Sequence, residues 1–314
     1  MEIIARRCLI FGIFFIATTL FLFAQGTTVY DFLLNDVGAR AAALGGTFVS
    51  STDDPNLIFY NPAGLASLST SRFSAGFFKH LLDINAGYVS YGTEIPHLGF
   101  VGAGVNYINY GDFQRTGEEG EDLGTFGAGE LAVSVGYAGE LQHGLTYGLN
   151  AKYIYSSIAE VHSSAVALDL GTQYVVVPNR FILGASVLNL GTQLNPYVTT
   201  REDLPLDVTI GASVYPEHLP AAIMVNFHKL NQSQDNFAQH FTPFSVGVEF
   251  TASPNVQLRF GYNNEQHQDM EIDSSAGLAG FSLGLGILTG SYNIDYAFTS
   301  YGKIGGVHRI SVAL

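Results

Sequence analysis

The chain has 314 residues, of which 13% are charged and 36 are glycine, and its mean hydropathy is +0.22. The charged share is about half the ~25% usual in soluble domains, yet the apolar residues fall in short alternating runs, so the apolar surface faces something other than a packed core. A formal net charge of −14 disfavours nucleic-acid binding, which needs a basic face, and the only cysteine, Cys8, leaves the chain beyond residue 24 without thiol chemistry or disulfides.

The N-terminus reads as a secretory signal over 1–24. Arg6 and Arg7 form a positive start, Cys8 to Phe23 is almost unbroken apolar sequence, and Ala24 offers a small residue for cleavage. The same stretch approaches the length of a transmembrane anchor, but Thr18 and Thr19 interrupt it and favour cleavage. Cys8 begins the apolar run, whereas a lipid-modified cysteine would end it.

Residues 25–71 lack sustained alternation and are rich in Ala, Gly, Asp and Asn. Small residues over 38–46, Gly45 and Gly46 among them, allow backbone to pack closely in a crowded space. Asp53 and Asp54 are expected to be solvated or to pair with a base such as Arg40; a metal site is not expected. Pro62 forces an extended or turned backbone at Asn61, and the Asn61 side chain suits loose backbone groups. The stretch Asn61-Pro62-Ala63-Gly64 is therefore either a structural corner or an element of gating.

From Arg72 to Leu314 the sequence alternates. Leu145, Tyr147, Leu149, Ala151, Tyr153 and Tyr155 share one face, against Thr146, Gly148, Asn150, Lys152 and Ile154. Runs of roughly 9 to 13 residues suit tilted transmembrane strands, since soluble strands are usually about 5 or 6. Tyrosine and phenylalanine recur near run ends, as in interfacial girdles. The fold class is thus an all-β transmembrane antiparallel barrel of about 14 strands. Strands are expected near 72–80, 85–94, 97–110, 129–140, 145–157, 163–177, 181–190, 205–215, 220–230, 241–251, 255–264, 276–288, 291–300 and 305–314.

Long connections (111–128, 191–204, 231–240, 265–275) then alternate with short ones, and both barrel ends fall on the short-turn, periplasmic side. The acidic stretch around Glu118 to Asp122 is expected to keep an outer loop solvated. A turn at Thr289-Gly290 would pair Leu288 with Ser291, Leu285 with Ile294 and Leu283 with Tyr296. A connection centred on Pro254 sets Glu249 opposite Arg259, both inward, as an ion pair; Asp295 and Arg309 are expected to pair across the last hairpin.

Several motifs are decoys. Gly280-Phe281-Ser282-Leu283-Gly284 matches the hydrolase elbow pattern but lies within an expected strand, whereas that motif needs a strained strand-to-helix turn. The nine histidines show no metal-ligand spacing. No enzyme activity and no cofactor are expected.

Two regions carry a family resemblance. Asp31-Phe32-Leu33-Leu34, Val37 through Gly46, and Tyr60-Asn61-Pro62-Ala63-Gly64-Leu65 resemble the start of PorV/PorQ family outer-membrane proteins, and the Asn-Pro-Ala-Gly stretch is similar to the N-terminal hatch of FadL-type fatty-acid transporters. The ending from Gly280, with Asp295-Tyr296-Ala297 and His308-Arg309-Ile310-Ser311, is similar to PorV-family C-termini. The chain departs from the pattern in ending on Leu314 rather than an aromatic residue and in lacking tryptophan. The resemblance implies a FadL-like barrel in the bacterial outer membrane, with 25–71 as a lumenal plug and 72–314 as the barrel. It implies a role in type IX-like secretion and surface attachment, with cargo proteins or secretion-system components bound by the loops 111–128, 191–204 and 265–275. The alternative is a FadL-like transporter of small hydrophobic compounds, with inward residues such as Ile154, Leu188 and Met224 lining the pocket. Outer-membrane lipid and lipopolysaccharide are expected partners in either case.

Overall fold

The computed structural model describes residues 28–79, 84–232, 236–270 and 277–314. The expected signal at 1–24 lies outside these residues, as do 233–235 and 271–276 of two expected loops. The strands are β1 (Arg72–Lys79), β2 (Asn85–Ile95), β3 (Gly99–Thr116), β4 (Asp122–Gln142), β5 (Leu145–Ile158), β6 (Val161–Val177) and β7 (Phe181–Asn195). They continue as β8 (Asp207–Val214), β9 (Ala221–Phe227), β10 (Phe244–Ser253), β11 (Val256–Asn263), β12 (Phe281–Thr289), β13 (Tyr292–Ser300) and β14 (Gly306–Ala313). Each pairs antiparallel with its sequence neighbours, and β1 pairs with β14, so the sheet is a closed barrel of fourteen strands.

Closure follows from the solvent that the pattern demands. The outward positions of β5, Leu149, Tyr153 and Tyr155, are 50%, 47% and 39% exposed, while the inward Asn150, Lys152 and Ile154 are buried. An apolar exterior over a polar interior is stable only in a bilayer, where every backbone donor and acceptor must be met within the protein. The closed sheet leaves no open edge. Among the described residues no helix is long and apolar enough to cross a membrane; the chain crosses with strands, the architecture of the bacterial outer membrane. Reciprocal bonds between Phe73 and Leu314, at 3.1 and 2.8 Å, finish the β1–β14 seam at the short-turn rim.

Two expectations need correction. The connection 111–128 is mostly strand, and only its acidic tip, 117–121, is a loop. β3 and β4 stay paired to Thr116 and Asp122, with a tip closed by Gly117 N–H donating to the Glu121 carbonyl at 2.8 Å. Phe113 and Phe126 stack across this extension at 5.5 Å. Charge marked the region as wet, but a wet ribbon still forms a ladder when cross-strand aromatics hold it. β7 likewise runs on to Asn195, into the expected 191–204 loop.

At the β12–β13 hairpin the turn falls on Gly290-Ser291, with Gly290 at φ 60°. Thr289 faces Tyr292, Leu285 faces Tyr296 and Leu283 faces Phe298. The expected pairing of Leu285 with Ile294 and Leu283 with Tyr296 is displaced by two residues. Such a slip returns every side chain to the same face, so apolar matching is satisfied by both registers; the glycine at the first turn position, which accepts a positive φ, selects the observed one.

Candidate functional site: the filled lumen

Residues from Tyr30 to Leu68 run inside the barrel and account for much of its buried core. The helix Ala39–Ala43 packs on β11 to β14, and the 3-10 turn Pro62–Ser67 packs on β4 to β6. Small side chains allow both approaches. Gly46 N–H donates to the Ala41 carbonyl and Gly45 N–H to the Ala42 carbonyl, a paired C-terminal cap that needs the positive φ of 66° and 79° found at Gly45 and Gly46.

The corner Asn61-Pro62-Ala63-Gly64 is seated on wall glycines of β5 and β6. A Cβ at Gly171 would lie 2.0 Å from Asn61 Oδ1, and one at Gly148 would lie 2.2 Å from the Ala63 nitrogen. Asn61 is fully buried. Its Oδ1 accepts from Ala63 N–H at 3.1 Å, and its Nδ2 donates to the carbonyls of Val49 (2.7 Å) and Thr172 (3.0 Å). One side chain thus caps the turn and ties it to both its own segment and the wall.

Charge fixes the opposite flank. Arg40 donates from Nε and Nη2 to both Glu249 oxygens at 2.9 Å, and from Nη1 to Asp54 at 3.3 Å. Glu249 also accepts from Arg259 Nε at 2.6 Å, and Arg259 Nη1 reaches Asp295 Oδ1 at 2.6 Å. Asp54, Arg40, Glu249, Arg259 and Asp295 form one ladder of alternating sign, with two members on the lumenal segment and three on the wall. Asp53 is separate: it pairs with Arg72 at 2.6 Å near the short-turn rim.

The expected Asp295–Arg309 pair is absent. The register sets Arg309 opposite Ala297 and Asp295 opposite Ser311. Asp295 turns instead to Arg259, in the space left by Gly286, where a Cβ would meet both side chains at 2.8 Å. Glu249 and Arg259 do face each other across β10 and β11.

A second buried network was not singled out from the sequence. Lys152 on β5 pairs with Asp169 on β6 at 2.9 Å and donates to Asn189 Oδ1 at 2.8 Å. Asn150 joins Asp169 to the Ile58 carbonyl. The signal was present in two charged residues at inward strand positions, where lone charges are too costly to persist.

Above the segment, on the long-loop side, lies a cavity of about 300 Å³. Its floor includes Leu33 to Val37 and its roof the helix Asn264–Asp269, with Lys152, Leu188 and Arg309 among its walls. A second space of about 250 Å³ adjoins the β8–β9 turn, and Glu249 forms part of its wall. Of the expected pocket residues, Leu188 lines the larger cavity. Ile154 and Met224 do not: Ile154 packs with Tyr30 and Phe32, and Met224 with Leu44, Phe48 and Leu57. They are inward and apolar as expected, but the lumenal segment covers them.

Ser282 lies within β12, opposite Thr299, and not on a strand-to-helix turn. No group of metal-ligating side chains occurs among the described residues.

No family model and no curated protein matches the chain. Solved structures do match its fold. The toluene transporter TbuX of Ralstonia pickettii is similar over 90% of this chain and 98% of its own, at 15% identity and a TM-score of 0.59. The toluene transporter TodX of P. putida matches over 89% and 97%, at 13% identity and a TM-score of 0.59. A FadL homologue of Pseudomonas aeruginosa matches over 88% and 98%, at 8% identity and a TM-score of 0.55. At these identities the likeness is one of fold: the chain has the fourteen-stranded outer-membrane barrel fold of FadL-type transporters.

Proposed function

We propose that the chain is an outer-membrane transporter of small molecules, with the lumenal segment as the element that moves to let cargo pass. The observation that carries this reading is the pairing of an outward-side cavity with a floor held by one discrete ladder, Arg40 to Asp54 and Glu249. A merely structural filling has no need of a cavity above it, whereas a transporter needs both a binding space and a barrier that can be released. The structures of like fold include a toluene transporter and a monoaromatic hydrocarbon channel, which supports a small organic cargo. The apolar outer wall faces membrane lipid, and the extended β3–β4 hairpin stands among the lipopolysaccharide.

The test is uptake of a labelled small aromatic solute by proteoliposomes containing the whole barrel. Uptake above protein-free vesicles is expected, and equal rates would refute the reading. The secretion role implied by the PorV/PorQ resemblance rests on the two terminal motifs. Recovery of secretion components or cargo with the barrel from its native outer membrane would favour it over transport.

A further inference from the structure

Among the described residues, one cation of the outward cavity, Arg309, has no acid within ion-pair distance, although Asp36, Asp207, Glu265 and Asp269 share the lining. Arg309 is 3% exposed. Its Nη1 donates to Thr299 Oγ1 at 3.1 Å, and its guanidinium lies 4.6 Å from the Phe78 ring centre. Its Nε is buried without an acceptor. Asp295, the acid nearest to it in sequence among the inward positions of the last hairpin, is taken by Arg259. The cavity's two lysines are both paired, Lys152 with Asp169 and Lys229 with Glu265. A buried guanidinium with an unmet donor is costly unless an anion completes it.

The lumenal segment presents the opposite charge to the same space. Asp36 lines the cavity with Arg309 and forms no ion pair with it. Among the described residues the only side-chain donor to it is the Tyr60 hydroxyl at 3.5 Å, which also reaches the Val37 carbonyl at 3.0 Å. Polar linings such as Asn35, Asn106, Ser134 and His228 outnumber the apolar ones, the reverse of a pocket built for a hydrocarbon. Leu33, Val37, Phe59 and Leu188 still offer apolar contact. The volume of about 300 Å³ is about twice that of a cavity known to hold benzene.

We propose that this cavity binds a small organic acid of about one ring, whose carboxylate completes Arg309 and whose hydrogen-bond donor faces Asp36. The proposal rests on the transport reading for its biological sense and narrows the cargo from hydrocarbon to a polar acid; binding itself is measurable without passage. A bidentate carboxylate fits the guanidinium fork, and the donor answers a carboxylate that the protein leaves nearly unserved.

The test is calorimetric titration of the purified full-length barrel in detergent with 4-hydroxybenzoate, 4-hydroxybenzamide, benzoate and toluene. The acid is expected to bind at one site at least about tenfold more tightly than its neutral amide. Arg309→Gln is expected to weaken acid binding roughly 10- to 100-fold and to erase the preference over the amide. Arg309→Lys keeps part of that preference, and Asp36→Asn lowers the preference for 4-hydroxybenzoate over benzoate. Heat-modifiable gel migration verifies the fold. If Arg309→Gln does not fold, the acid-against-amide comparison on the unaltered barrel decides. Toluene binding without acid binding, or equal acid binding in Arg309→Gln, overturns the proposal while leaving transport intact. Acid binding with no uptake into proteoliposomes removes the transport reading and leaves the site.

Discussion

Substituting Glu249→Gln attacks the ladder at its centre. Among the described residues Glu249 is the only wall acid bonded to Arg40, and it bridges Arg40 to Arg259 with three bonds of 2.6 to 2.9 Å. Glutamine preserves shape and one acceptor but removes the charge. Arg40 then retains Asp54 at 3.3 Å and the Thr52 carbonyl at 3.3 Å, both on its own segment, so its link to the wall is what is lost. Breaking a buried ion pair costs about 3–5 kcal/mol, and the lower end applies because Arg259 keeps Asp295. A loss of about 3 kcal/mol raises the ratio of released to seated segment by roughly 100-fold. The assay is current through single barrels in planar bilayers, with Glu160→Gln as the control because its Arg115 pair is exposed and remote from the segment. Frequent openings in Glu249→Gln and none in the control are expected. A folded Glu249→Gln barrel as quiet as the unaltered one would refute the idea that the ladder holds the barrier.

Further outcomes follow from other contacts. Gly148→Ala is expected to displace the corner at 61–64, because its Cβ would sit 2.2 Å from the Ala63 nitrogen; overpacking costs about 1–3 kcal/mol, read as faster modification of a cysteine introduced at Ala63. Asn61→Ala removes the Nδ2 bonds to the Thr172 and Val49 carbonyls, of which Val49 keeps Gln173 Nε2 at 3.1 Å, and leaves the Ala63 N–H without its acceptor, so its thermal unfolding is expected to fall by about 1–3 kcal/mol. The hydrogen bond and then the charge of Arg115 hold the Glu160 carboxyl below its usual range. Its contribution is therefore present above the unfolded pKa and is lost as pH falls through the lower folded one. Amide exchange at the β5–β6 turn is expected to quicken on acidification, and Arg115→Gln is expected to abolish that dependence. Replacing residues 112–126 by a short turn is expected to leave the barrel folded and uptake unchanged.

The barrel was legible because membrane strands write their two solvents into alternate positions; each of the fourteen expected strands overlaps an observed one. Boundaries failed where the bilayer ceases to dictate the pattern, as at 111–128, where Phe113 and Phe126 carry the pairing beyond the lipid. Register failed at Gly290 because a two-residue slip is invisible to alternation. In the site, Glu249 and Arg259 were readable as inward neighbours across a tight turn. Arg309 was not, since Arg259 takes both Glu249 and Asp295 and leaves it neither acid. The seating of Asn61 on Gly148 and Gly171 joins residues far apart in sequence, and such contacts leave no periodic trace.

The helix Ala39–Ala43 has a consequence for assembly. It lies early in the chain, yet its contacts are with β11 to β14, and Arg40 meets Glu249 across 209 residues. The segment is joined directly to β1, the strand that must find β14 to shut the wall. Contacts of such high sequence separation form late, so the seating of the segment and the zipping of the seam fall in the same late stage. The segment nearest the chain's beginning then serves as the mandrel on which its end is wound.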